Sequence, residues 1–102
     1  MMGELRFQTT DSGCLRLTGT LNYAAVTPVF WRQSKNLLSN APSPLHIDLQ
    51  GITHSDSTGV ALLLAWLRLA YKQNKKISFV NLPDQMRAII HVSELEKLFY
   101  ES

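Results

Sequence analysis

Apolar and polar positions alternate over Leu5-Arg6-Phe7-Gln8 and again over Cys14-Leu15-Arg16-Leu17-Thr18, with the turn residues Asp11-Ser12-Gly13 between them. Period-two alternation puts every second side chain on one face of an extended chain, so the pair predicts a β-hairpin. A break over Gly19 to Asn22 follows. Thr27-Pro28 then predicts a helix start, with Thr27 as N-cap and Pro28 at the first helical position, where its missing N–H costs nothing. That helix is expected to run to about Ser39, with Phe30, Ser34, Leu37 and Leu38 on its inner face and Trp31 beside them. Ala41-Pro42-Ser43-Pro44 closes it as a stiff loop.

Alternation returns in Leu45-His46-Ile47-Asp48-Leu49, a strand with Leu45, Ile47 and Leu49 toward the core and His46 and Asp48 on the opposite face. Val60 to Lys72 has helical length and is apolar on nearly all sides until Arg68, the pattern of a helix covered by a sheet and a neighbouring element. Lys76 to Asn81 reads as a further strand. Leu82-Pro83-Asp84 opens a helix with Met86, Ile89 and Ile90 inward, and Ser93 to Glu96 fits a capping box ahead of Leu98 and Phe99. Strands separated by helices require crossover connections, so the order predicts an α/β fold. Its sheet is expected to be mixed and mainly parallel, packed with about four helices, in one domain over residues 1–102.

Composition narrows the function. The chain of 102 residues is 45% hydrophobic and 18% charged, too apolar for intrinsic disorder and large enough for one core. A formal net charge of +2 gives no nucleic-acid footprint, and Arg68, Lys72, Lys75 and Lys76 gather near one helix end, where cations complement the helix dipole. The single cysteine, Cys14, has no intramolecular partner and reads as a small buried residue in a reducing cytoplasm. The longest apolar stretch ends at Arg68, short of the roughly 20 residues a membrane span needs, so neither export nor membrane insertion is expected.

The most informative local feature is the junction His54-Ser55-Asp56-Ser57-Thr58-Gly59-Val60, where hydroxyl and acidic residues meet an apolar run. Such residues cap helices by accepting hydrogen bonds from first-turn N–H groups. Ser57 is therefore expected at a positive helix end, where replacement by Ala would remove a cap worth about 0.5–2 kcal/mol. The same end tolerates a phosphate or an anionic partner group. Ser57 is thus the candidate docking or phosphorylation residue, with Asp56, Thr58 and Gly59 supporting it.

Enzyme chemistry is not expected. A hydrolase built on Ser57, His54 and Asp56 lacks the Gly-x-Ser-x-Gly elbow, and triad partners converge from separate segments. No phosphate-binding Gly-x-x-x-x-Gly-Lys loop is present. His46, Asp48, His54 and Asp56 show no metal-ligand spacing, and His91 suits a helix end. No catalytic residue, cofactor or metal is assigned. Phe30, Trp31 and Trp66 read first as core; in the alternative reading Trp31 and Trp66, with His54 and Ser55, form a partner interface.

The strand Leu45 to Leu49, the Asp56-Ser57-Thr58-Gly59 sequence and the helix after it resemble a STAS domain, the fold of anti-sigma-factor antagonists and sulfate-transporter tails. In the antagonist branch the hydroxyl residue after the aspartate is phosphorylated by a serine kinase, which maps to Ser57, with Asp56 as the neighbouring acid. The chain has Gly59-Val60-Ala61 where antagonists carry Gly-Leu-Gly, which weighs against that branch. Ala61 to Arg68, Phe79-Val80-Asn81-Leu82-Pro83-Asp84-Gln85, Val92-Ser93 and Thr27-Pro28-Val29-Phe30-Trp31 are similar to the small STAS subunits of bacterial intermembrane phospholipid ABC transporters. That resemblance implies a non-enzymatic, cytoplasmic protein held at the inner membrane by an ABC ATPase and, indirectly, its permease. It further implies phospholipid traffic that maintains outer-membrane lipid asymmetry.

Overall fold

The computed structural model describes residues 5–10 and 14–100. Its elements run β1 (Arg6–Thr9), β2 (Leu15–Leu21), α1 (Pro28–Asn40), β3 (Leu45–Ser55), α2 (Ser57–Lys72), β4 (Ile77–Val80), α3 (Asp84–Val92) and the five-residue α4 (Glu96–Tyr100). The sheet has the order β1-β2-β3-β4, antiparallel between β1 and β2 and parallel thereafter. This is the α/β architecture with a mixed, mainly parallel sheet that the alternation of elements predicts. The turn expected at Asp11-Ser12-Gly13 lies outside the described residues.

Local chemistry explains the element ends. The Thr27 side chain accepts from the Phe30 N–H at 3.1 Å, and Pro28 occupies the first position of α1, as expected. α2 and α3 both close on a left-handed residue, Asn74 (φ 56°) and Glu94 (φ 57°). In each the next N–H reaches back five residues, Lys75 to the Ala70 carbonyl at 2.9 Å and Leu95 to that of Ile90 at 3.0 Å. This is the Schellman closure, which satisfies carbonyls the helix leaves open. The capping box expected at Ser93 is therefore absent. Ser93 is the C-cap of α3, and Glu96 instead meets the His91 ring at 2.6 Å. Likewise β4 stops at Val80 rather than Asn81, because Asn81 turns left-handed (φ 57°).

The core-side set of β3, Leu45, Ile47 and Leu49, is buried as expected. β3 continues to Ser55, six residues past the predicted strand end, and two register shifts against β2 change its alternation so that Ile52 and Ser55 are buried. α2 is flanked by α1 and α3, with Val60, Leu62, Leu63, Trp66 and Ala70 buried. In α1 Phe30, Ser34 and Leu38 are buried, whereas Leu37 is exposed and lines an open groove with Leu5, Phe7 and Phe30. Cys14 is half-buried rather than buried. Lys75 donates to the carbonyls of Leu38, Ser39 and Ala41, placing a cation on the otherwise unneutralised end of α1.

On the other sheet face Asp48 is buried beside exposed His46. Its Oδ1 accepts from the Gln50 N–H at 2.9 Å and the Asn81 amide at 3.0 Å, and its Oδ2 faces Arg16 at 3.4 Å. The bond from the Gln50 N–H, aided by Asn81 and Arg16, holds the Asp48 carboxyl below the usual carboxylate range. A lowered folded-state pKa gives stability that is present above the unfolded value and lost as pH falls through the folded one. Urea unfolding of the wild type and Asp48→Asn should accordingly differ most near neutrality. The difference should shrink as pH drops below about 3.9, and a gap constant with pH would show that the ionised carboxylate is not what the network needs.

Candidate functional site

The junction between β3 and α2 is built from contacts to two other elements, β2 and α3. Asp56 has extended backbone (φ −117°, ψ −167°), and its N–H donates to the carbonyl of Leu21 at the end of β2 at 3.1 Å. Its Oδ1 accepts from the Thr58 N–H at 2.8 Å. Asp56 is thus the N-cap, and Ser57 is the first helical residue. The expectation that Ser57 contributes the cap is corrected: a side chain inside the first turn no longer reaches back to its own N–H groups, so the residue before it does the capping.

The Ser57 side chain is exposed and makes no hydrogen bond among the described residues. It stands at the positive end of a 16-residue helix. This arrangement suits an incoming acceptor or acidic group. Thr58 is half-buried, and His54 is exposed next to the junction, opposite Thr20 in the parallel ladder.

Gly59 is buried. A Cβ there would lie 2.4 Å from Ser55 Oγ and 3.3 Å from Leu21 Cδ1, so the first turn of α2 sits closer to the strand ends than a side chain permits. Ser55 is buried beneath it, donating its hydroxyl to the Asp56 carbonyl at 3.2 Å and its backbone N–H to Gln85 Oε1 of α3 at 2.9 Å. Ser55 is therefore a packing residue rather than a partner-interface residue. The Gln85 bond ties α3 to the junction across 30 positions of sequence, a role that local sequence patterns do not display.

The tryptophans divide. Trp66 is fully buried, its Nε1–H donating to Ser34 Oγ at 3.0 Å and its ring lying 5.6 Å from that of Phe7. That hydrogen bond satisfies its polar edge inside the core, which removes Trp66 from the candidate interface and bears out its first reading as a core residue. Trp31 is half-buried, packed against the core on one side and with the Lys35 ammonium 5.9 Å from its ring centroid. Among the described residues no group of three His, Cys, Asp or Glu side chains is placed to hold a metal ion.

Two outcomes test this geometry. Asp56→Ala should lower stability by about 0.5–2 kcal/mol, whereas Ser57→Ala should stay within about 0.5 kcal/mol, both read from urea melts; the reverse order would return the cap to Ser57. Gly59→Ala should cost about 1–3 kcal/mol, and less in a Ser55→Ala background because the nearest clashing atom is gone.

Residues 5–100 match the family described as Mlab, STAS domain. No curated protein matches the chain.

Proposed function

We propose, because this chain belongs to the STAS-domain family, that it is a non-enzymatic subunit that binds and supports the ATPase of a phospholipid-transport ABC complex. The observation that carries this reading is the match of residues 5–100 to the family described as Mlab, in line with the resemblance of Ala61 to Arg68 and Phe79 to Gln85 to the STAS subunits of such transporters. The exposed, unbonded Ser57 hydroxyl at the start of α2 supplies the docking point, with Asp56 and Thr58 shaping it, Gly59 fixing its position, and His54 and Trp31 as further partner-facing residues.

Docking acts through populations. A subunit that binds one conformation of an ATPase more tightly than another shifts the ATPase toward it, and only by that difference in affinity. The protein itself supplies a surface rather than chemistry. Among the described residues no helix is long and apolar enough to cross a membrane; on this reading the ATPase and its permease hold the protein at the inner membrane.

A second reading rests on the same exposed hydroxyl: an anti-sigma-factor antagonist switched by phosphorylation of Ser57. Phosphate adds about two negative charges at neutral pH and is accommodated at a helix N-terminus while repelling an acidic partner. Intact mass after incubation with the host's serine kinases separates the two, since an unmodified chain excludes the antagonist.

Affinity purification of the tagged protein from its host should recover an ABC ATPase with its permease. Ser57→Glu should keep the thermal midpoint, because an acid at a helix start is favourable, and lose most of the captured ATPase. Undiminished capture by Ser57→Glu would remove Ser57 from the interface.

A further inference from the structure

The charge on α1 and α2 has one sign. No Asp or Glu occurs between Asp11 and Asp48 or between Asp56 and Asp84, so every charged residue of α1 (Arg32, Lys35) and of α2 (Arg68, Lys72) is basic. All four are exposed, and none has an ion pair among the described residues. Among the described residues the acids lie off α1 and off α2 beyond its N-cap: Asp48 on the opposite sheet face, Asp56 engaged as that N-cap, Asp84 beside Gln85 on α3, and Glu94 and Glu96 around α3 and α4.

Ser57, Ala61, Arg68 and Lys72 are the exposed residues at spacings of four, eleven and fifteen, which a period of 3.6 brings to one face of α2. This face runs about 22 Å, at 1.5 Å per residue. It begins at the free hydroxyl and ends at two cations. Ala61 between them leaves the backbone approachable, and Tyr71 beside Lys72 is 84% exposed.

We infer that the outer face of α2, extended by Arg32 and Lys35 of α1, docks on a protein surface bearing Asp and Glu side chains; on the functional reading above, which this inference rests on, the ATPase carries that surface. Four unpaired cations on acid-free helices match a row of carboxylates, and the Arg68 guanidinium offers a fork that fits a carboxylate with two hydrogen bonds. A lipid surface is the weaker match. Membrane-binding basic patches concentrate charge, whereas here the four cations are spread along two helices.

The test measures binding of the purified full-length protein to the ATPase subunit of its host's transporter at about 0.15 M salt, where exposed charges beyond about 8 Å are screened. Arg68→Glu/Lys72→Glu should weaken binding by at least about tenfold. Arg87→Glu/Lys97→Glu on α3 and α4, with the same change in net charge, should stay within about twofold. Circular dichroism melts establish that both fold; should the first not fold, Arg68→Gln/Lys72→Gln takes its place, with an expected loss of at least about threefold. Wild-type affinity in the α2 pair would overturn the inference while leaving the functional reading intact, and wild-type protein that binds no ATPase would overturn both. Arg68- and Lys72-dependent binding to vesicles of about 30% phosphatidylglycerol, with ATPase binding unaffected, would overturn it in favour of an anionic lipid surface.

Discussion

The position of everything at the junction depends on one close approach, that of the first turn of α2 to the ends of β2 and β3. It exists because Gly59 has no Cβ, which leaves room for the Ser55 hydroxyl and Leu21 beneath it. The backbone is then fastened from two directions, by the Asp56 N–H on the Leu21 carbonyl and by the Ser55 N–H on Gln85. With these contacts made, Ser55 points inward and Ser57, two residues later, stands outside. The Ser57 backbone is placed by the buried Ser55 and Gly59 on either side, although its hydroxyl makes no bond of its own among the described residues.

Much of this arrangement is legible in the chain, and the failures share a cause. Alternation and the Thr27-Pro28 start identify the first part of β2 and the start of α1 because both signals are local, whereas β2 runs on to Leu21 through the break expected over Gly19 to Asn22, held there by pairing with β3. The same rule loses β3 after Leu49, since two register shifts change which residues point inward and the alternation no longer announces a strand. Asp48 is correctly set opposite the apolar face, but its partners Arg16 and Asn81 lie 32 and 33 residues away, and no local pattern connects them. The junction itself is visible as a cluster of capping residues. Which of several consecutive candidates caps depends on where the backbone leaves the extended region, which only the structure fixes, at Asp56. Trp66 is the other instructive case: a helix apolar on all sides does not reveal which aromatic faces out, and the buried Ser34 that receives its N–H sits on another helix.

Polar groups are divided between the two sides of the molecule in different ways. On the open sheet face Asp48 is neutralised within the chain by Gln50, Asn81 and Arg16, and the network is complete without any other molecule. On the helical side Lys75 is likewise consumed internally, by three carbonyls at the end of α1. Arg32, Lys35, Arg68 and Lys72 are not consumed in this way. A charge already satisfied stabilises the fold, whereas one left in water remains available for recognition.

The sheet carries a further consequence in the lengths of its strands. Both outer strands, β1 and β4, have four residues, against seven and eleven for the inner pair. Each edge therefore offers few unpaired backbone groups to another chain, too little template for runaway strand-to-strand stacking. A protein with these edges can be kept concentrated without polymerising through its sheet, and its associations are left to side chains.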